Sequence, residues 1–335
     1  MNFKDSSPNI KGSSPNIKGS SPNIKGSSPN IKGSSPNIKG SSPNIKGSSP
    51  NIKGSSPNIK GSSPISHAQC PMKKPLLQVH QLSKSYGAIK ACDRISFDLY
   101  PGQVLGIVGE SGSGKSSLLG ALAQPTGGIA NHFPIDQGNV IYTNRNQEDL
   151  EITQLPESQR RRLMRTEWGF VRQNPRDGLR MKVSAGANIG ERLLDVGVRH
   201  YGNIRDEATH WLQQVEIDPA RMDELPVNFS GGMQQRLQLA RVLVTRPRLI
   251  LMDEPTGGLD VSVQARLLDL LRSLVRNFHL SVIVVTHDIG VVRLLAHRLL
   301  VMQQGQVVES GLTDQVLDDP QHPYTQLLVS AALTP

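Results

Sequence analysis

Cysteine is scarce in this sequence: Cys70 and Cys92 are the only two among 335 residues. Two isolated cysteines allow no disulfide framework, no Cys-x-x-Cys pair and no cysteine cluster for zinc or iron–sulfur chemistry. Long apolar runs are also missing, and none approaches the length that a helix needs to span a bilayer. The sequence therefore predicts a soluble, reduced protein of the cytoplasm.

Charge is distributed unevenly along the chain. The formal net charge of +9 would by itself suggest a nucleic-acid or membrane partner. However, residues 1–75 carry 11 lysines and a single acid, whereas the remaining residues carry 26 basic and 27 acidic side chains. The positive charge thus belongs to the N-terminal segment, and no nucleic-acid partner is expected for the rest of the chain.

The N-terminal segment is a repeat. Eight tandem copies of Ser-Ser-Pro-Asn-Ile-Lys-Gly run from Ser6 to Gly61. A proline and a glycine in every copy exclude a continuous helix, and one isoleucine per copy buries too little apolar surface to offset chain entropy. We expect residues 1–75 to be a disordered tail and linker. A specific binding array, a repeat expansion or a misplaced start codon remain open, whereas the lack of an apolar stretch after Lys4 and Asp5 excludes a signal peptide.

From residue 76 onward, short apolar segments alternate with turns and helical patterns. The segments "LLQVHQL", "ISFDLY" and "VLGIV" are typical of strands, and residues 150–240 are mostly helical in pattern. Two later runs, "RLILMDEP" and "LSVIVVTHD", are nearly continuous in apolar residues and then stop at polar ones. Such runs indicate parallel strands buried on both faces, with function at their carboxyl ends. The sequence predicts an α/β domain with a helical insert.

One segment has the pattern of a phosphate-binding loop. The sequence "GESGSGKS" fits G-x-x-x-x-G-K-[ST] and lies between the strand-like "VLGIV" and the helix-like "SLLGALA". In such a loop the glycines let backbone N–H groups converge on phosphates, the lysine binds the same oxygens, and the last hydroxyl ligates Mg²⁺. A glycine-rich turn with a chance lysine is the alternative, and the strand–loop–helix context disfavours it. The expected nucleotide contacts are Gly109, Glu110, Ser111, Gly112, Ser113, Gly114, Lys115, Ser116 and Ser117.

Polar residues stand at the ends of three further predicted strands. Asp253 is placed to hold Mg²⁺, and Glu254 is placed to act as the general base for an attacking water. His287 could contact the terminal phosphate or that water, and Gln173 could reach Mg²⁺. Each residue alone would be an ordinary strand terminus; the phosphate loop in the same chain favours the functional interpretation. Tyr86 either stacks on a nucleotide base or is a plain exposed aromatic, and the spacing leaves both open.

A second anion-binding pattern lies far from the first. In "NFSGGMQQR", Ser230, Gly231 and Gly232 open a predicted helix, whose N-terminus attracts anions. A single chain would have to double its insert back over the core to bring both patterns to one nucleotide. A symmetric dimer avoids this, because the Ser230 turn of each chain can cap the nucleotide held by Lys115 of the other. The alternative is a plain helix cap followed by packing glycines.

The order of these motifs resembles the ATP-binding-cassette ATPases. "FSGGM" stands where that family usually has Leu-Ser-Gly-Gly-Gln, and Met233 at its end leaves the backbone donors intact; "GGLD" ends at Asp260 like the family's D-loop. The resemblance implies a P-loop NTPase core with an antiparallel β subdomain and a helical signature subdomain at about 174–245, all within 76–335. It further implies ATP and Mg²⁺ as cofactors, catalysis by Glu254, His287 and Lys115, and a second copy of the chain as partner.

Longer stretches point to a subfamily. "TEWGFVRQNPRDGLRMKVSAGANIGERL" and "VVESGLTDQVLDDPQHPYTQLLVSAAL" resemble the K-type ATP-binding subunits of bacterial carbon–phosphorus lyase systems, which break down phosphonates. ATPases of peptide and nickel importers share the "HPYT" element, but they usually carry a Leu-Asn-Pro-type stretch where this chain has "DGLR" at 177–180. The resemblance implies docking on the lyase core subunits. An importer ATPase bound to a membrane permease at the inner membrane is the alternative, and a nucleotide-binding regulator without turnover is disfavoured by Glu254 and His287.

Overall fold

The computed structural model describes residues 74–123 and 135–333. The predicted repeat tail therefore lies outside the described residues, apart from its last two positions. The strands are β1 (Leu77–Tyr86), β2 (Ile89–Leu99), β3 (Val104–Val108), β4 (Gln137–Thr143), β5 (Asp149–Glu151), β6 (Trp168–Val171), β7 (Leu249–Asp253), β8 (Ser281–Val285), β9 (Arg298–Gln303) and β10 (Gln306–Leu312). The helices are α1 (Lys115–Ala123), α2 (Glu157–Thr166), α3 (Pro175–Gly178), α4 (Ala185–Asp195), α5 (Tyr201–Gln214), α6 (Gly231–Leu243), α7 (Val261–Phe278), α8 (Ile289–Leu295), α9 (Thr313–Asp318) and α10 (Pro323–Leu333).

A six-stranded sheet in the order β10-β9-β3-β8-β7-β6 forms the centre. The five strands from β9 to β6 run parallel, and β10 is antiparallel to β9. The two apolar runs that predicted buried parallel strands are β7 and β8, so this prediction is confirmed; "VLGIV", predicted as a strand, is β3. Because β3 lies between β8 and β9, the loop that follows it emerges from the interior of the sheet.

Both faces of this sheet are covered, which explains the continuous apolar strands. Along β7, Leu249 and Leu251 pack into one hydrophobic cluster, whereas Ile250 and Met252 pack into the other. One cluster includes residues of α4, α5, α6 and α7, and the other includes α1 and the strands of the smaller sheet. A strand with water on one face would alternate in polarity instead.

The smaller sheet is antiparallel, with the strand order β2-β1-β4-β5. Leu77 and Val79 of β1 share a hydrophobic cluster with Leu118 and Leu122 of α1. Helix α1 therefore lies between the two sheets, and the buried core on both of its sides holds the preceding loop in place.

Helices fill the stretch where the helical insert was expected, from α3 to α6. Ser184 caps α4 by accepting the N–H of Ala187, and Ser230 caps α6 by accepting the N–H of Met233. At the other end of the chain, α8, α9 and α10 cover β9 through a third apolar cluster that includes Val301, Leu317 and Tyr324. None of the helices in the described ranges is long and apolar enough to cross a membrane.

Candidate functional site

The predicted phosphate loop joins the end of β3 to the start of α1. Helix α1 begins at Lys115, so the loop amides lie at a helix N-terminus, where the dipole favours an anion. Gly109 has φ +154°, and a Cβ there would lie 2.1 Å from the Met302 carbonyl oxygen. Gly114 has φ +101°, and a Cβ there would lie 2.0 Å from the Ala91 carbonyl oxygen. Both positions therefore require glycine, because the backbone of a neighbouring segment occupies the space of a side chain.

Lys115 is buried beneath this loop. Its Nζ donates to the carbonyl oxygens of Gly109 at 2.9 Å and Glu110 at 2.7 Å, and to the Ser113 hydroxyl at 3.3 Å. Burial lowers the pKa of the Lys115 ammonium, while the carboxylates of Glu254, Asp253 and Glu110 oppose that shift. The ammonium is thus held among the loop residues, and its three N–H groups can donate hydrogen bonds to phosphate oxygens.

A hydroxyl and a carboxylate meet beside the loop. The Ser116 hydroxyl donates to Asp253 Oδ1 at 3.2 Å, which joins the start of α1 to the end of β7. Burial raises the pKa of Asp253; the Ser116 hydrogen bond works against this rise, and the negative charge of Glu254 adds to it. Both residues were predicted to hold Mg²⁺, and the structure brings them together.

Glu254 lies between two other predicted site residues. Its Oε2 accepts from Gln173 Nε2 at 2.8 Å, and its Oε1 lies 2.9 Å from His287 Nδ1. The residue has φ +40°, a conformation that non-glycine residues seldom adopt and that is common at functional sites. The Glu254 carboxylate bonds to Gln173 and lies beside His287, whereas the Asp253 carboxylate accepts from Ser116. The ends of β6, β7 and β8 therefore deliver three polar side chains to one place.

Gln173 contacts Glu254 in this structure. Because its amide nitrogen is engaged at 2.8 Å, its amide oxygen is the atom that would be offered to a cation. The sequence placed Gln173 near Mg²⁺ and did not anticipate the direct bond to the candidate base. The hydrogen bond joins Gln173, just before the helical segment, to Glu254, the candidate base at the end of β7.

Tyr86 lies close to the start of α1. Burial raises the pKa of the Tyr86 hydroxyl, and a hydrogen bond with the Ser117 side chain works against this rise. The ammonium of Lys84 lies 5.2 Å from the centroid of the ring, and the side chain is 39% exposed. An exposed ring beside the phosphate loop is where a base could stack, so Tyr86 stays a predicted nucleotide contact.

The second anion-binding pattern lies on the surface. Ser230 and Gly231 are exposed, whereas Gly232 is buried and a Cβ there would lie 2.4 Å from Val263 Cγ1. Ser230 Oγ accepts the N–H of Met233 at 3.4 Å, which leaves its hydroxyl proton for another acceptor. Asp260, the last residue of "GGLD", is also exposed and precedes α7.

Met233 has a partner of its own. Arg221 Nη1 donates to its sulfur at 3.2 Å, and the guanidinium lies 4.6 Å from the centroid of the Phe229 ring. Met233 therefore helps to fix the turn before α6 from the inside. From the sequence, Met233 was considered only as a departure that leaves the backbone donors intact.

Two contacts near the site were missed by the sequence analysis. The Tyr324 hydroxyl accepts the backbone N–H of Glu110 at 2.8 Å, and the Gln264 side-chain amide donates to Asp288 Oδ2 at 2.7 Å. Tyr324 belongs to the "HPYT" element, which had served only to compare subfamilies. Nothing in the sequence indicates that a tyrosine more than 200 residues away will contact the loop.

Comparisons with known proteins agree with this geometry. The family model described as "ABC transporter" matches residues 92–257. The phosphonates utilization ATP-binding protein PhnK of Escherichia coli K12 is 62% identical over 262 residues, which are 78% of this chain and 99% of that protein. The chain belongs to the ABC transporter ATP-binding family. As a member of that family it is an ATPase, and it shares the ABC ATPase fold.

Other members are more distant. The dipeptide transport ATP-binding protein DppD of Escherichia coli K12 is 37% identical over 266 residues, which are 76% of this chain and 78% of that protein. Among solved structures, a dimeric post-hydrolysis state of the ATP-binding cassette MJ0796 bound to ADP and Pi superposes with a TM-score of 0.61 at 27% identity. The match covers 71% of this chain and 98% of that one.

Proposed function

We propose that this ABC ATPase is the ATP-hydrolysing subunit of a carbon–phosphorus lyase system for phosphonate breakdown, and that it docks on the core subunits of that system in the cytoplasm. The observation that carries the proposal is the 62% identity to PhnK over 99% of that protein's length. The ATPase unit is residues 76–335, with a helical subdomain at about 174–245. The chain supplies ATP turnover, and the cleavage of the carbon–phosphorus bond belongs to other subunits.

The site residues fit a magnesium ion together with the nucleotide. The hydroxyl of Ser116 and the carboxylate of Asp253 are hard oxygen ligands 3.2 Å apart, and the amide oxygen of Gln173 is a third of the same kind. These residues would hold the ion, and the chemistry it would supply is neutralisation of the charge that develops on the terminal phosphates. The chemistry of this donor set therefore agrees with Mg-ATP as the cofactor.

The roles of the chain's own residues follow from their contacts. Lys115 exchanges its hydrogen bonds to the loop carbonyls for hydrogen bonds to phosphate oxygens, because its ammonium already lies among the loop residues. Glu254 takes a proton from the attacking water, and His287 orients the Glu254 carboxylate through Oε1. Tyr86 stacks on the adenine. The other loop residues from Gly109 to Ser117 contribute backbone N–H groups or hydroxyls, except Glu110, whose N–H is bonded to Tyr324 Oη.

The second anion-binding turn implies a second copy of the chain. Ser230, Gly231 and Asp260 are exposed on the single chain, and so is the apolar Val261, at 84%. In the proposed dimer this surface faces the phosphate loop of the partner copy, so that two ATP molecules are enclosed between two chains. The dimeric state of the MJ0796 cassette supports this arrangement.

The docking partner can be tested by co-purification. We expect the untagged chain, isolated from cells that grow on a phosphonate as phosphorus source, to bring down the other lyase subunits in a detergent-free extract. The similarity to DppD favours a second candidate, the ATPase of an importer, which would lie at the inner membrane on a permease. The lyase proposal would be contradicted if a permease were recovered from the detergent extract and no lyase subunit were found in the detergent-free or the detergent extract.

The repeat tail is not needed for hydrolysis under this proposal. Deletion of residues 1–73 removes none of the site residues and retains Lys74, whose ammonium pairs with Asp149 at 2.8 Å. We expect kcat and the KM for ATP of the shortened chain to lie within about twofold of the full chain, since exposed ion pairs near the cut contribute little. A large loss of steady-state ATPase activity would assign the repeats a direct role.

A further inference from the structure

A single peptide group in the phosphate loop is held from both of its sides. The carbonyl oxygen of Gly109 accepts from Lys115 Nζ at 2.9 Å, and the N–H of the next residue, Glu110, donates to Tyr324 Oη at 2.8 Å. The C=O and N–H of a trans peptide point in opposite directions. Lys115 and Tyr324 therefore grip opposite edges of one peptide plane, and that plane cannot turn without breaking one of the two bonds.

Tyr324 is held firmly enough to act as an anchor. Its ring is 7% exposed and packs in the cluster that contains Val108, the last residue of β3. Burial raises the pKa of its hydroxyl, although the bond to the Glu110 N–H works against that rise. The hydroxyl therefore stays protonated at neutral pH, and its oxygen remains a neutral acceptor for a backbone donor.

The start of α10 is itself tied to the sheet. The Glu309 carboxylate on β10 accepts the N–H groups of Gln321 at 2.9 Å and His322 at 3.0 Å. His322 Nδ1 in turn accepts the N–H of Tyr324 at 3.1 Å. Burial raises the pKa of Glu309, but the backbone N–H groups of Gln321 and His322 outweigh it, and the pKa lies below its usual value. A charged carboxylate therefore fixes the residues that precede Tyr324.

We propose that Tyr324 is a positioning residue of the nucleotide site, through which helix α10 holds the Gly109–Glu110 peptide in one orientation, both before the nucleotide arrives and after Lys115 exchanges the Gly109 carbonyl for phosphate. The inference rests on the proposed role of Gly109–Ser116 as the phosphate loop. A loop whose amides are fixed before the nucleotide arrives loses less conformational freedom on binding. Without the tyrosine hydroxyl, the Glu110 N–H loses its partner and the peptide can turn, so part of the binding energy goes into reordering the loop.

The effect should appear in affinity and not in the chemical step. The Tyr324 hydroxyl bonds to the Glu110 backbone N–H, whereas the attacking water is assigned to Glu254, so loss of this bond should weaken the binding of nucleotide and transition state equally. Removal of one buried hydrogen-bond acceptor corresponds to roughly 3- to 10-fold in an equilibrium constant. A merely structural role would instead lower thermal stability without a selective change in nucleotide affinity.

The test compares two Tyr→Phe variants of the full chain. Tyr324→Phe keeps the buried ring and removes only the hydroxyl. Tyr142→Phe is the matched control. Tyr142, on β4 of the smaller sheet, is also buried, and its hydroxyl donates to Glu167 Oε2 at 3.0 Å. Glu167 lies outside the phosphate loop. The measurements are the Kd for Mg-ADP by titration calorimetry, steady-state kcat and KM for ATP, and the Tm.

We expect Tyr324→Phe to raise Kd and KM by about 3- to 10-fold with kcat within about twofold of the wild type, since the lost bond lies outside the reacting groups. Tyr142→Phe should lower the Tm by at least as much and leave Kd unchanged. An unchanged Kd in Tyr324→Phe would overturn the inference, and so would an equal rise in both variants or a fall in kcat alone. Absence of nucleotide binding by the wild type would instead refute the phosphate-loop assignment itself.

A second measurement reports on the same contact from the helix. Coupling between two sites is reciprocal, so nucleotide bound at the loop must stabilise α10 if α10 stabilises the loop. We expect Mg-ADP to slow amide hydrogen exchange in residues 323–332 of the wild type and to slow it less in Tyr324→Phe. Equal protection of this segment in both proteins would contradict the proposed route through Tyr324.

Discussion

Replacement of Glu254 by glutamine should leave ATP bound and reduce turnover by roughly 10²- to 10⁴-fold, the range expected when a general base is lost. The glutamine has the size of the glutamate, and its amide oxygen can still accept from Gln173 Nε2, which now bonds to Glu254 at 2.8 Å. It can no longer take a proton from water. Phosphate release under saturating Mg-ATP measures the loss, and the nucleotide content of the purified variant measures the retained binding.

The same variant tests the dimer. Because ATP persists in the Glu254→Gln protein, light scattering in saturating Mg-ATP should give twice the mass of the chain. Glu157→Gln is the matched control: Glu157 pairs with Arg161 on α2 at 3.0 Å with both side chains about half exposed, so its loss should change neither kcat nor mass. A monomeric Glu254→Gln protein under these conditions would count against the shared nucleotide site.

Replacement of Lys115 by alanine should weaken nucleotide binding itself. The ammonium is buried and supplies three donors at 2.7 to 3.3 Å from their present acceptors. Charged hydrogen bonds contribute about 1.5–3 kcal/mol each, and the lost contacts are partly replaced by water, so we expect affinity to fall by roughly 10²-fold or more. Titration with Mg-ADP measures this change directly.

A lysine on the surface provides the control for Lys115. Lys74 pairs with Asp149, and both side chains are nearly half exposed, so Lys74→Ala should bind nucleotide as the wild type does. The comparison separates the loss of one specific donor from a general change in charge. Full affinity in Lys115→Ala would contradict the assignment of the loop to phosphate.

The sequence was sufficient to predict the central strands and the residues that end them. The runs that became β3, β7 and β8 are apolar throughout because both faces of those strands are buried, and this burial leaves a readable pattern. Parallel strands deliver their carboxyl ends to one edge of the sheet. The pattern therefore also predicted that Asp253, Glu254 and His287 would lie near the phosphate loop.

Other contacts had no pattern to reveal them. The bond between Gln173 and Glu254 depends on the rotation of two side chains, and Arg221 reaches Met233 only because a turn places it before α6. Neither contact has a fixed spacing along the chain. The predicted role of residues 1–75 stays a prediction, because the structure describes this segment only from Lys74 onward.

Local chemistry alone was enough to specify the family and to predict the phosphate loop. Glycines at 109 and 114, a lysine at 115 and the strand and helix on either side act through neighbouring residues, so their order in the chain is itself the information. Tertiary structure alone decided what fixes that loop. Position 109 accepts only glycine, because the Met302 carbonyl oxygen lies 2.1 Å from where a Cβ would stand, and the Glu110 N–H is held by Tyr324 of α10. Such contacts join segments that are distant in the chain, and their geometry exists only once the sheet has brought those segments together.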